Sequence, residues 1–107
     1  MLAFYALLGL ELVQRMGPPF AMVRKEDLTI WVSGPKTSAR QPMPDGREPV
    51  PGGCNRLVIE VPYIEATVAA LSAAGVTFRN EPFKGIGGTQ VLVEDPSGNP
   101  IEIFQPA

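Results

Sequence analysis

Neither a helix nor an interior strand can run through residues 34–53. Five of these twenty residues are proline, and Gly34, Gly46, Gly52 and Gly53 stand among them. Proline fixes φ and removes a backbone donor, so regular structure must stop on either side. A structureless stretch longer than about 12–15 residues in a small domain is usually a linker or a functional lid. The segment is therefore expected to join a first module, 1–33, to a second, 54–107, and to lie over one mouth of a binding pocket, partly in polyproline conformation. A PxxP-type recognition peptide is the alternative, although nothing else in the chain suggests signalling.

The two flanks share a plan. Residues 1–8 read as a helix with Phe4 and Leu8 on one side and Gly9 as its stop. Leu10-Glu11-Leu12-Val13 begins a strand, Gly17-Pro18-Pro19 breaks it, and Phe20-Ala21-Met22-Val23-Arg24 returns as a hairpin partner. After the polar turn Lys25-Glu26-Asp27, Leu28-Thr29-Ile30-Trp31-Val32 alternates strictly. Beyond the proline-rich segment, Asn55-Arg56-Leu57-Val58-Ile59-Glu60-Val61 is a strand. Ile64, Val68 and Leu71 then mark a helix stripe over 64–74, stopped by Gly75, with no side-chain cap at Pro62-Tyr63. Three strands should follow, at 76–79, 89–93 and 101–104. Leu8-Gly9-Leu10-Glu11-Leu12 matches Ala74-Gly75-Val76-Thr77-Phe78, and Leu28-Thr29-Ile30-Trp31 matches Ile101-Glu102-Ile103-Phe104, so the chain reads as an internal duplication.

Composition removes several function classes. At 107 residues the chain makes one small domain, and a net charge of −2 gives no basic surface that demands nucleic acid or an acidic membrane. A single cysteine, Cys54, excludes an internal disulfide, suits a reducing cytoplasm, and is expected to be a small residue opening a strand. The apolar start, interrupted by Gly9 and Glu11, reads as neither a signal peptide nor a membrane span. There is no histidine anywhere. That removes Ser-His-Asp and Cys-His catalysis and every histidine-bearing metal cluster. Gly85-Ile86-Gly87-Gly88 precedes a strand rather than a helix N-terminus, so it is expected to be a mobile hairpin loop, not a phosphate cradle. Arg79 and Glu81 are expected to be solvated, with Asn80 able to reach the pocket rim.

The last stretch, Val91-Leu92-Val93-Glu94-Asp95-Pro96-Ser97-Gly98-Asn99-Pro100-Ile101-Glu102-Ile103-Phe104, is two strands joined by a tight polar turn. This stretch resembles the C-terminal end of the vicinal oxygen chelate superfamily, which includes glyoxalase I, extradiol dioxygenases and bleomycin-resistance proteins. In that family the segment D-P-x-G-N-x-I-E-I/L-F carries a metal-binding glutamate, and Glu102 stands at its position. The resemblance covers nearly the whole chain. It implies an α+β fold of two βαβββ modules forming a curved mixed sheet with helices on the convex face. The first strand of module 1 is absent from the sequence. Sequence upstream of Met1 is expected to supply it, with a strand from another chain as the alternative.

Alternation sorts the side chains independently. Leu28, Ile30, Val32, Leu57, Ile59, Val61, Ile101 and Ile103 form one aliphatic face for the helices to cover. Thr29, Trp31, Arg56, Val58, Glu60, Glu102 and Phe104 form the other, and a concave face with aromatic walls and convergent charges is the default ligand site. For Glu102 itself the competing reading is a solvated charge on an edge strand, and for Trp31 a core residue whose indole N–H needs a partner. In the family, metal ligands come from the module-opening and module-closing strands, which match Arg56, Thr29 and Glu102. A guanidinium has no lone pair to give, so Arg56 is expected to pair with Glu102 where a metal would sit. The expected function is metal-independent binding of a small organic molecule, an anion among the candidates, by a cytoplasmic homodimer needing no cofactor. Two alternatives stand: a metal-dependent lyase, isomerase or dioxygenase whose ligand set is completed by an upstream strand or a partner chain, and a non-catalytic assembly module.

Overall fold

A computed structural model describes residues 1–17, 20–34, 41–53 and 55–107. The chain divides into two compact units, Leu2–Val50 and Pro51–Ala107, the latter joined by Met1. Pro18, Pro19, Cys54 and residues 35–40 of the proline-rich segment lie outside the described residues, and with them the expected strand break and the role given to Cys54.

In the first unit, α1 (Leu2–Leu7) leads to β1 (Glu11–Arg15), β2 (Phe20–Lys25) and β3 (Leu28–Ser33). Gly9, at φ 87°, ends the helix as expected of a C′ glycine. Phe4, Tyr5, Leu8 and Leu10 are buried, and the rings of Phe4 and Tyr5 meet edge to face at 5.0 Å. The strands form an antiparallel meander in the order β1-β2-β3, so β3 is an edge within this sheet. Glu26 takes the tight turn between β2 and β3 with φ 53°. The 41–53 segment contains a turn at Asp45, whose carboxylate accepts from the Arg47 backbone N–H at 3.0 Å and from Arg47 Nε at 2.7 Å. These bonds hold the Asp45 carboxyl below its usual range.

The second unit runs β4 (Leu57–Glu60), α2 (Ile64–Ala73), β5 (Phe83–Lys84), β6 (Gly88–Glu94) and β7 (Pro100–Pro106). Its sheet has the order β4-β7-β6-β5 and is mixed: β4 is parallel to β7, and the other pairs are antiparallel. This αβββ-βαβββ order is the duplicated α+β plan read from the sequence. Ile59, Val61, Val91, Val93, Ile101 and Ile103 are all buried on one face, with Ile64 and Leu71 of α2 buried among the core residues. The predicted register therefore holds, since a slip of one residue would have exchanged the two faces. Leu57 departs from it. It opens β4 at the edge of its sheet and is 41% exposed although its lateral neighbour Ile101 is buried; Leu28, opening the edge strand β3, is exposed in the same way. No described helix is long and apolar enough to cross a membrane.

Two local expectations are corrected. Residues 76–79 do not form a strand: Phe78 makes a single bridge with Val93, and regular pairing resumes only at β5. From Phe78 to Phe83 the outer segment takes five residue steps where β6 takes three, an irregular bulge. Asn80 holds it in place, its side-chain Oδ1 accepting the Leu92 backbone N–H at 2.9 Å. Arg79 is not merely solvated, because its Nε meets Glu94 Oε2 at 2.8 Å and its Nη2 donates to the Gly98 carbonyl at 3.2 Å. The uncapped start of α2 is resolved from a distance. Tyr63 makes no side-chain cap, and the Ile64 N–H donates instead to Gln105 Oε1 on β7 at 2.8 Å.

Candidate functional site

The turn that feeds β7 is built around one buried carboxylate. Asp95 Oδ1 accepts the backbone N–H groups of Ser97 and Asn99, each at 2.9 Å, and Oδ2 accepts the Asn99 side-chain amide at 2.8 Å. Gly98, at φ 88°, supplies the left-handed step that lets the turn close. Asn99 Oδ1 in turn accepts the Gly52 backbone N–H at 2.8 Å, tying the end of the proline-rich segment to this turn. The turn delivers Pro100 into β7 in fixed register.

β7 is an interior strand flanked by β4 and β6, so Glu102 does not stand on an edge. Its lateral neighbours are Val58 on β4 and Leu92 on β6. Between two aliphatic side chains the carboxylate loses most of its water, and its side chain is only 12% exposed. Arg56 supplies the counter-charge: Nη2 lies 3.1 Å from Glu102 Oε1, and the arginine side chain is 42% exposed. The pair thus has a dry acidic end and a wet basic end. One residue pair along, Glu60 lies beside Phe104, and Phe104 beside Gln90. The Phe104 ring leans over Gly88, which sits at φ 152°. A Cβ on Gly88 would collide with the Gln105 carbonyl oxygen and come within 3.0 Å of Phe104 Cζ.

Five of the seven residues that alternation assigns to a ligand face, Arg56, Val58, Glu60, Glu102 and Phe104, are therefore brought together on the open face of the second sheet. Thr29 and Trp31 stand on β3 in the first unit. Thr29 Oγ1 accepts from Arg24 Nε at 3.3 Å. Trp31 is no core residue: it is 65% exposed, lies opposite Met22, and meets Phe20 edge to face at 5.6 Å. Gln90, Leu92 and Phe83 share the face of Glu102 by register and were not among the expected residues. Alternation within Thr89-Gln90-Val91-Leu92-Val93 carries the signal for the first two. Phe83 could not be found that way, because the bulge at 80–82 resets its register. Gly85-Ile86-Gly87 is the hairpin connection between β5 and β6, closed by the Gly85 N–H donating to the carbonyl of Gly88, the first residue of β6, at 2.8 Å.

A family model described as Glyoxalase/Bleomycin resistance protein/Dioxygenase superfamily matches residues 1–103. The chain belongs to this superfamily. Solved structures agree on the fold. A superfamily member from Sphaerobacter thermophilus DSM 20745 is 25% identical with a TM-score of 0.70, covering 97% of this chain and 84% of that one. A lactoylglutathione lyase from Agrobacterium tumefaciens is 19% identical with a TM-score of 0.71, covering 96% and 81%. TnmS3, an antibiotic binding protein from Streptomyces sp. CB03234, is 21% identical with a TM-score of 0.68, covering 97% and 81%. No curated protein is similar enough in sequence to match. The superfamily match includes the whole 95–103 turn and strand, and so the position of Glu102.

Proposed function

We propose that this chain binds a small organic molecule on the open face of its second sheet, without a divalent metal. The observation that carries the reading is the ion pair of Arg56 and Glu102, 3.1 Å apart. Family resemblance gives Glu102 the place of a metal-binding glutamate, but the residues around it do not fit a metal ion. A divalent ion at such a site usually takes at least three protein donors. Here the carboxylate's nearest charged neighbour is a guanidinium, which stays protonated and would repel a cation. The chain has no histidine, and the described residues contain no group of three His, Cys, Asp or Glu placed to hold an ion. The pair can fix β4 against β7, a task a metal would otherwise share.

The face also has the composition of a small-molecule site: apolar Val58, Leu92 and Phe104, with a few charged and amide groups among them. TnmS3, which shares this fold, is described as an antibiotic binding protein, and that supports a binding role for this chain. The test is metal analysis of the purified protein with its intact mass, then calorimetric titration with Ni²⁺ and Zn²⁺. A fragment screen read from the amide resonances of β4, β6 and β7 completes it. The expected outcome is metal-free protein, no saturable metal binding at micromolar concentration, and fragments that shift those amides. Stoichiometric metal held through Glu102, with Arg56 turned away, would overturn the reading and favour the metal-dependent lyase, isomerase or dioxygenase.

A further inference from the structure

The charge balance of the open face bears on what kind of molecule it takes. Two arginines border that face, and both are neutralised: Arg56 by Glu102 at 3.1 Å and Arg79 by Glu94 at 2.8 Å. Glu60 is different. It is exposed at the end of β4 and has no ion pair or side-chain hydrogen bond among the described residues. Among the described residues the face therefore carries one uncompensated negative charge.

Register places that charge in an ordered row. Glu60 lies beside Phe104, Phe104 beside Gln90, and Gln90 beside Phe83, across all four strands. With neighbouring strands about 4.8 Å apart, the row extends over roughly 14 Å. It holds a carboxylate at one end, a half-buried aromatic ring next to it, an amide, and an exposed aromatic ring at the far end. Opposite this row, on the covered face, Ile59, Ile103 and Val91 are buried, so the backbone beneath it is held in place. A carboxylate beside aromatic rings selects an ammonium group: the charge pairs with the carboxylate, and the ring quadrupole attracts the same cation. An anion would meet repulsion from Glu60, and the guanidinium of Arg56, just before β4, is already neutralised by Glu102.

We infer that the row of Glu60, Phe104, Gln90 and Phe83 binds an organic cation, an ammonium group carried on an aromatic or aliphatic body. This assignment rests on the small-molecule reading above and adds the charge class of the ligand. The body of such a molecule would lie along the row toward Phe83, while Gln90 offers a donor or an acceptor midway.

The experiment is an amide-resonance titration of the protein with three probes: benzyltrimethylammonium, benzyl alcohol and phenylacetate. Each is run on the unmodified chain, on Glu60→Gln and on Phe83→Ala. Both substituted side chains are exposed, and the spectra themselves report that the variants fold. Benzyltrimethylammonium is expected to shift the amides around Glu60, Gln90 and Phe104 saturably and more tightly than phenylacetate. Glu60→Gln should weaken it by about fivefold, and Phe83→Ala by about threefold. Phenylacetate binding the row as tightly as the cation, or a Glu60→Gln variant with unchanged cation affinity, overturns the inference. Shifts from benzyl alcohol or phenylacetate with none from the cation reject the charge class but keep the site. If no probe moves these amides, the site and the inference fall together.

Discussion

The two ends of the ion pair are not equivalent, because only one of them is dry. Removing Arg56 leaves the Glu102 carboxylate between Val58 and Leu92 without a counter-charge, at a cost of about 1–3 kcal/mol for an unsatisfied, largely desolvated group. Removing the charge of Glu102 strands only a guanidinium that water already reaches, which costs less than about 1 kcal/mol. Urea denaturation should therefore rank Arg56→Ala as clearly less stable than Glu102→Gln at equal m-value; the reverse order would show that the arginine, not the carboxylate, is the buried partner. A second asymmetry lies in the β5/β6 connection. Gly88→Ala should cost about 3 kcal/mol, since its Cβ would strike the Gln105 carbonyl at a positive φ. Gly87→Ala, with open space around its Cβ, should stay within about 0.5 kcal/mol of the parent. Thermal melts of the two variants separate these cases directly. The pairing of Arg56 with Glu102 could be anticipated because alternation puts both on one face and the family resemblance gives both the positions of metal ligands. The bonds of Arg79 and Asn80 could not, since a charged or amide side chain in a polar stretch carries no sign of which carboxylate or backbone amide will reach it.

Elements were legible where a period or a glycine marked them, and lost where pairing was irregular. Gly9 and Gly75 both take positive φ at helix ends, and the alternation of 55–61 and 101–104 assigned the buried face of the second sheet through Ile59, Val61, Ile101 and Ile103. The 76–79 strand failed because Val76-Thr77-Phe78-Arg79 has good strand residues but only one bridge to Val93, after which the bulge intervenes. Phe83 and Lys84, set between Pro82 and Gly85, gave too short a run to read as a strand. The start of α2 shows the same limit, since its cap comes from a residue 41 positions away. That bond makes a direct prediction. Gln105→Ala should remove the acceptor of the Ile64 N–H and cost about 1 kcal/mol. Gln105→Glu keeps an acceptor and adds a negative charge near the helix N-terminus, so it should match or exceed the parent in stability. Hydrogen exchange at Ile64 should accelerate in the alanine variant alone; equal exchange in all three proteins would show that Gln105 does not cap the helix.

At the scale of the whole molecule, the duplicated plan leaves one inequality between the halves. Residues 101–104, the counterpart of 28–31, lie in β7, which is paired on both sides by β4 and β6, whereas β3 is paired only by β2 within its sheet. An edge strand of six residues with Trp31, Leu28 and Ile30 presents backbone groups that no described strand of its sheet pairs, beside apolar side chains, and such an edge invites pairing with another strand. No pattern in the sequence could say what covers it, because pairing between chains leaves no period of its own. The expected outcome is a homodimer joined along or beside β3. Trp31 is the single tryptophan of the chain and is 65% exposed, so its emission reports on this edge without labelling. Dilution from tens of micromolar toward nanomolar concentration should shift that emission to longer wavelength as the indole regains water, in step with a fall in mass by light scattering over the accessible upper range. Replacing Thr29 with Pro should remove one backbone donor from the open edge of the strand, because the two-residue turn at Glu26-Asp27 aims the backbone groups of Leu28 and Ile30 at β2. Replacing Trp31 with Lys should place a charge on the edge and weaken association at less cost to the fold. A mass that stays monomeric at tens of micromolar would reject association at this edge.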